Sequence, residues 1–164
     1  MIEILLDGWN ETRALTYDLI KEIPLEKLNE KIDRPGLNSL AKQIYELALV
    51  QKAYIKVLDG KPLDFSDVEK ITFGSDDYAI KSKEELVKLL EEEDVHFHDI
   101  INRANDWDKE IKIFGKMVPT YAVLELMTKH ETLHHGQLII FCYTLGIKFP
   151  ASWVDTWALP QKWA

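Results

Sequence analysis

The sequence predicts an all-α protein, a four-helix bundle with one long crossover connection. Apolar residues recur with a helical period through four segments of roughly twenty residues, as expected for helices that bury one face. Only 7 glycines and 6 prolines interrupt the 164 residues, so long helices can form. Residues 60–81 make a connection far longer than the roughly two to eight residues usual in bundles. We expect residues 1–164 to form a single domain.

The first two helices have clear boundaries. The first is predicted over residues 2–22, because the apolar face ends there and Pro24 follows. The second begins at Asn38 or Ser39, both favourable N-cap residues, and runs to Gly60. Its apolar residues cover more than one stripe. This predicts contacts on two sides, either inside the bundle or at the face of a homodimer.

The third helix follows the crossover and begins with the capping box of residues 82–85. It is expected to end near Asn105. Alternating residues and a glycine within 110–118 then predict a short β-hairpin. Thr120 is the expected N-cap of the fourth helix, which ends at Gly146. The tail carries three tryptophans that are expected to close one end of the bundle: Trp153, Trp157 and Trp163.

Charge and cysteine content exclude several classes of function. The chain has 20 basic and 28 acidic residues, a net charge of −8, and no cluster of lysine and arginine. This disfavours binding to nucleic acid or to an anionic membrane surface. No apolar run approaches the roughly 20 residues of a spanning helix, and the N-terminus lacks a basic leader region. The lone cysteine, Cys142, is expected in the core, and its lack of a disulfide partner predicts a cytoplasmic protein.

Two histidines on the fourth helix form the candidate site. His130 and His134 are four residues apart, so their imidazoles lie about 6 Å apart on one helix face and can share a metal ion. Both fall on the apolar, inward face, where unpaired polar groups are costly. Gln137 lies one turn further on the same side. It is expected either to orient a ligand or water or to form an interhelical hydrogen bond.

The same segment reads His-Glu-x-x-His, the motif of zinc metalloproteases, in which the glutamate is the general base. The remainder of that motif is missing. Ile140 stands where the extended form needs a third histidine, and no glutamate follows Glu131. Glu131 is more simply expected on a solvated helix face than as a base or as a partner of a metal ligand. His135 is rotated by about 100° from His134, toward a neighbouring helix end or solvent.

Other titratable residues have simpler interpretations. His96 and His98 lie on different sides of the third helix and are expected at the surface. The acidic run of residues 91–94 is expected to be a solvated face.

The segment from His130 to Gln137 resembles the last-helix pattern of the DinB-like (DNA-damage-inducible) superfamily, which includes the YfiT-type metal-dependent hydrolases. Residues 145–147 and Pro150 are similar to its glycine-ended helix and following proline. Residues 34–40 are similar to the turn that precedes the family's first metal ligand. The resemblance implies a four-helix bundle and a site of three histidines, one on the second helix and two on the fourth. It also implies a small-molecule substrate, with either hydrolysis or transfer of a low-molecular-weight thiol.

The family's first ligand falls seven residues after the serine that starts the second helix. From Ser39 this position is Glu46, so the resemblance predicts a metal site of Glu46, His130 and His134. A set of two histidines and one carboxylate suits Zn²⁺, and Fe²⁺, Mn²⁺ or Ni²⁺ are alternatives. In a second interpretation, the site is degenerate and Glu46 only pairs with a protonated histidine. The protein would then be a non-catalytic homodimer that binds a ligand or partner in a stress response.

Overall fold

The long helices coincide with the four predicted segments. The computed structural model describes residues 2–73, 80, 82–104 and 106–160. Its elements, in chain order, are α1 (Ile2–Glu22), α2 (Leu25–Leu28), α3 (Leu40–Leu58), α4 (Ser66–Phe73), α5 (Lys83–Arg103), β1 (Glu110–Ile113), β2 (Lys116–Pro119), α6 (Ala122–Leu145) and α7 (Ala151–Thr156). The predicted all-α class is confirmed, with α1, α3, α5 and α6 as the bundle.

The four long helices pack as a ring in the order α1, α6, α3, α5. Helix α3 contacts both α5 and α6, and α1 contacts the same two helices from the other side. This position explains why α3 is apolar on two faces, with fourteen of its 19 residues buried. Contacts within the chain account for that apolar surface. The predicted homodimer therefore has no support from α3.

Helix boundaries follow the predicted capping residues in three cases. The Ser39 hydroxyl accepts a hydrogen bond from the Lys42 amide at 3.3 Å, and Ser82 accepts one from the Glu85 amide at 3.2 Å. Gly146 ends α6 with φ of 67°, the left-handed conformation that favours glycine. These contacts satisfy backbone groups that the helix itself leaves unpaired.

The predicted N-cap at Thr120 is wrong. Tyr121 precedes α6, and the Thr120 hydroxyl instead donates to the Lys109 carbonyl at 2.8 Å. The Lys109 carbonyl can accept from this side chain because the hairpin that follows Lys109 ends directly before α6. Asn105, the expected end of the third helix, lies outside the described residues, and α5 ends at Arg103.

The two connections contain short elements that periodicity did not predict. Helix α4 lies within the crossover and packs on α3, and α2 follows Pro24. The predicted hairpin is confirmed, with Ile113 paired to Lys116 across a tight turn. Both turn residues have positive φ, 49° at Phe114 and 77° at Gly115, as a type I′ turn requires. Across the described ranges, no helix is both long and apolar enough to cross a membrane.

Candidate metal centre

A layer of polar side chains crosses the middle of the bundle between two apolar clusters. One cluster surrounds Phe141 and Trp153, and the other surrounds Trp9 and Phe97. Between the clusters, α1, α3, α5 and α6 each contribute polar residues. We call this the middle polar layer; its members are Arg13, Thr16, Glu46, Gln51, Asp94, His130, Glu131, His134 and His135.

The three predicted ligands meet in this layer. Glu46 reaches from α3, and His130 and His134 reach from successive turns of α6. Oε2 of Glu46 lies 2.8 Å from Nε2 of His134 and 3.5 Å from Nε2 of His130. One ligand atom from each residue lies within 4.8 Å of the other two. The position that the resemblance assigned to the first ligand therefore lies on the face of α3 that meets His130 and His134.

This arrangement fits a divalent cation. A tetrahedral ion with bonds of about 2.0 Å holds its ligand atoms about 3.3 Å apart, close to the separations from Glu46. Moreover, the buried Oε2 of Glu46 accepts no hydrogen bond of normal geometry from the described residues. A buried carboxylate oxygen without a hydrogen bond is costly, and a cation would satisfy it.

Electrostatics keep Glu46 ionised. Burial raises its pKa, but contact with the His130 and His134 side chains outweighs burial, and the pKa falls to about 2. The carboxylate is therefore negative at neutral pH and is available to a cation without first losing a proton.

The site opens to solvent at one residue. The His130 side chain is 22 % exposed, compared with 4 % for His134 and 8 % for Glu46. A narrow cleft on the inner side of His130, lined by Trp9, Val50 and Met127, is too small for a water molecule. Of the three side chains, His130 is therefore the most accessible from solvent.

A model of the DinB family matches residues 2–158 of the chain. The chain belongs to the DinB family. It is similar to the crystal structure of a DinB-like protein from Bacillus cereus ATCC 10987, with a TM-score of 0.71 and 16 % identity. The match covers 91 % of this chain and 95 % of that one, and at this identity it shows the fold alone. No curated protein matches the chain.

The DinB-family site has one further partner that sequence reasoning missed. Gln43 is fully buried on α3, and its Oε1 lies 2.6 Å from Nδ1 of His134. Its position three residues before Glu46 places it on the same helix face, which is the signal that could have identified it. Gln137, predicted to orient a ligand or to make an interhelical bond, bonds to Gln43 at 3.1 Å.

The rest of the middle polar layer is centred on Arg13. Its Nη2 lies 3.0 Å from Oε2 of Glu131 and donates to Oε1 of Gln51 at 2.7 Å. Its Nε lies 3.5 Å from Oδ1 of Asp94, to which Gln51 also donates. Thr16 donates to the other oxygen of Glu131. We call these five residues the Arg13 cluster.

Two predictions fail at this cluster. Glu131 was expected on a solvated face but is 1 % exposed, because Arg13 of α1 supplies its counter-charge. It therefore turns away from the three ligands, which argues against a general base of the protease kind. Of the acidic run, Glu91 and Glu92 are exposed as predicted, whereas Asp94 is only 16 % exposed at its side chain and faces Arg13.

His135 does not face solvent, which was one of the two orientations predicted for it. It is 1 % exposed, its ring lies 4.6 Å from that of Trp153, and Nε2 lies 2.8 Å from Oγ1 of Thr16. Trp157 packs against the same ring. Burial, followed by the charges of Arg13 and a neighbouring histidine, lowers the pKa of His135 to about 3, so the ring is neutral at physiological pH.

The remaining predictions agree with the structure where it describes the residue. His96 and His98 are exposed on α5. Cys142 is fully buried in the core, where burial raises the pKa of its thiol to about 12. Trp153 is fully buried and covers one end of the bundle. Trp163 lies outside the described residues.

Proposed function

We propose that this DinB-family protein binds one divalent metal ion through Glu46, His130 and His134 and uses it as an enzyme on a small molecule. One observation carries the proposal. A buried carboxylate oxygen that accepts no hydrogen bond of normal geometry from the described residues lies 2.8 and 3.5 Å from the Nε2 atoms of two histidines. Two histidines and one carboxylate are a donor set that leaves an open position on Zn²⁺, and Fe²⁺, Mn²⁺ and Ni²⁺ accept the same atoms.

Each of the three side chains would have a different role at the site. A bound ion would supply Lewis-acid chemistry, which polarises a substrate and lowers the pKa of water or a thiol. Glu46 contributes the negative charge, His134 is held inside the bundle, and His130 forms the exposed edge that a substrate would meet. This division suits both of the proposed reaction classes, hydrolysis and thiol S-transfer.

Metal analysis tests the proposal directly. Protein purified without added metal, then titrated with Zn²⁺, Ni²⁺ and Mn²⁺, should retain one ion per chain. His130→Ala should lose it, and His96→Ala should keep it, because His96 is a surface histidine outside the polar layer. Failure of the unaltered chain to retain any of the three ions would reject the proposal.

The reaction class needs a separate assay. Metal-loaded protein should be incubated with a low-molecular-weight thiol and an electrophile, and in parallel with ester and amide substrates, with products read by mass spectrometry. A thioether product that disappears in His130→Ala would support the transferase, and a hydrolysis product with the same dependence would support the hydrolase.

One observation favours a non-catalytic alternative. The 2.8 Å between Glu46 and His134 is also the separation of an ordinary ion pair, with a proton where the metal would bind. In that case the protein would be a ligand- or partner-binding bundle, and its thermal midpoint would be the same with chelator and with metal. Homodimer formation and cytoplasmic localisation stay predictions, testable by sedimentation and by cell fractionation.

A further inference from the structure

We infer that Gln43 is a positioning residue, which keeps a proton on Nδ1 of His134 and turns Nε2 toward Glu46 (the Nδ1–H tautomer when the ring is neutral). This hydrogen bond belongs to the metal-free protein and needs no metal. That the same orientation favours metal binding rests on the proposed function.

The Leu37 carbonyl determines how the Gln43 amide is oriented. The Gln43 Nε2 atom lies 2.9 Å from the Leu37 carbonyl oxygen and 3.1 Å from Oε1 of Gln137. A backbone carbonyl can only accept a hydrogen bond, so the NH₂ group of Gln43 must face it. The Gln43 carbonyl oxygen then necessarily faces His134.

The orientation of Gln43 in turn determines the state of the imidazole. Oε1 of Gln43 lies 2.6 Å from Nδ1 of His134 and can only accept, so Nδ1 must carry the proton. Nε2 is then the ring nitrogen turned to Glu46, 2.8 Å away, where it can donate a proton to the carboxylate or, once deprotonated, bind a metal ion. A second partner that fixes the tautomer and the ring plane is typical of metal-binding histidines.

Gln43 is itself held in place from outside the bundle. Oε1 of Gln137 accepts from Gln43 and also lies 3.3 Å from Nη1 of Arg34, in the turn before α3. The Arg34 guanidinium lies 5.8 Å above the Phe141 ring. A continuous line of contacts therefore runs from this exposed arginine to His134. Its effect should weaken with distance, from Gln43 to Gln137 to Arg34.

Nitrogen NMR of the metal-free protein tests the tautomer. Protein with ¹⁵N-labelled imidazoles is studied with chelator, and the His134 signals are assigned by their loss in His134→Asn. We expect a protonated Nδ1. An unprotonated Nδ1 in the unaltered chain would overturn the inference, and this result needs no variant at position 43.

Three variants separate positioning from stability. Gln43→Met removes the acceptor, so we expect His134 to lose its fixed tautomer and the affinity for Co²⁺ to fall about 10- to 100-fold. Gln43→Glu keeps an acceptor toward His134 but loses the donor to Leu37, so it should keep the tautomer while lowering the thermal midpoint. Gln51→Met is the matched control. Gln51 is an equally buried glutamine of α3 and belongs to the Arg13 cluster. Its replacement should lower the thermal midpoint but not the affinity for Co²⁺.

The outcomes distinguish this inference from the proposed function. If Gln43→Met keeps the tautomer, or if it binds Co²⁺ as tightly as the unaltered chain does, the inference is wrong. If the unaltered chain shows the expected tautomer but binds no metal, the proposed function fails and the assignment of the tautomer is supported.

Discussion

The two halves of the middle polar layer bury charge in different ways. In the Arg13 cluster, the carboxylates of Glu131 and Asp94 face a guanidinium supplied by another helix of the same chain. In the other half, the described contacts of the Glu46 carboxylate are with imidazoles, which are cationic only when protonated. The first half supplies its own permanent cation, and the described contacts of the second include none.

The difference between the two halves separates a structural cluster from a candidate ligand site. Burial is similar in both halves, and each contains a glutamate. What differs is whether the chain supplies the counter-charge. Buried charges persist only when they are paired or coordinate a metal, so the half without a permanent cation is the half to examine for a ligand.

The largest effect is expected from removing the permanent cation. Arg13→Met leaves Glu131 and Asp94 without their counter-charge in a buried layer, which should cost about 3 to 5 kcal/mol of unfolding free energy. Urea denaturation measures this loss. Metal affinity per folded molecule should be unchanged, since Arg13 contacts none of the three ligands in the described contacts. A loss below about 1 kcal/mol would show that the two halves do not differ in this way.

Supplying the missing cation to the other half should stabilise the protein. Metal at 100 times its dissociation constant should add about 2.7 kcal/mol, and chelator should remove it. The gain should shrink in acid, because imidazoles must be neutral to bind metal, whereas Glu46 stays ionised down to about pH 2. Calorimetric melting with and without chelator measures it, and an equal gain in His130→Ala would contradict the assignment.

A smaller change per pH unit in the free energy of unfolding is expected from His135, which lies between the two halves. Below the ordinary histidine pKa, His135 is protonated in the unfolded chain, whereas its buried ring in the folded protein stays neutral down to about pH 3. The unfolding free energy should therefore fall as the pH falls between about 6.5 and about 3, by about 1.4 kcal/mol per unit from this residue. His135→Asn should remove that part of the slope. Equal slopes in both proteins would mean that His135 is protonated in the fold.

Local chemistry determined most of the fold. The caps at Ser39, Ser82 and Gly146 and the hairpin near Gly115 depend on residues a few positions apart, so the sequence alone predicted them. Where a local rule failed, a group from elsewhere in the chain bound the side chain instead. Thr120 is the clear case, because its hydroxyl donates to the Lys109 carbonyl and does not cap α6.

The candidate site, like the fold, could be predicted only in part from the sequence. The spacing of His130 and His134, and the resemblance that pointed to Glu46, placed these residues on inward faces that the structure brings together. The burial of Arg13 and Glu131 could not be predicted, because periodicity within one helix does not show which charges a second helix brings opposite. A charged side chain is buried when its counter-charge arrives from elsewhere in the chain, and only the packing of α1 against α6 decides that.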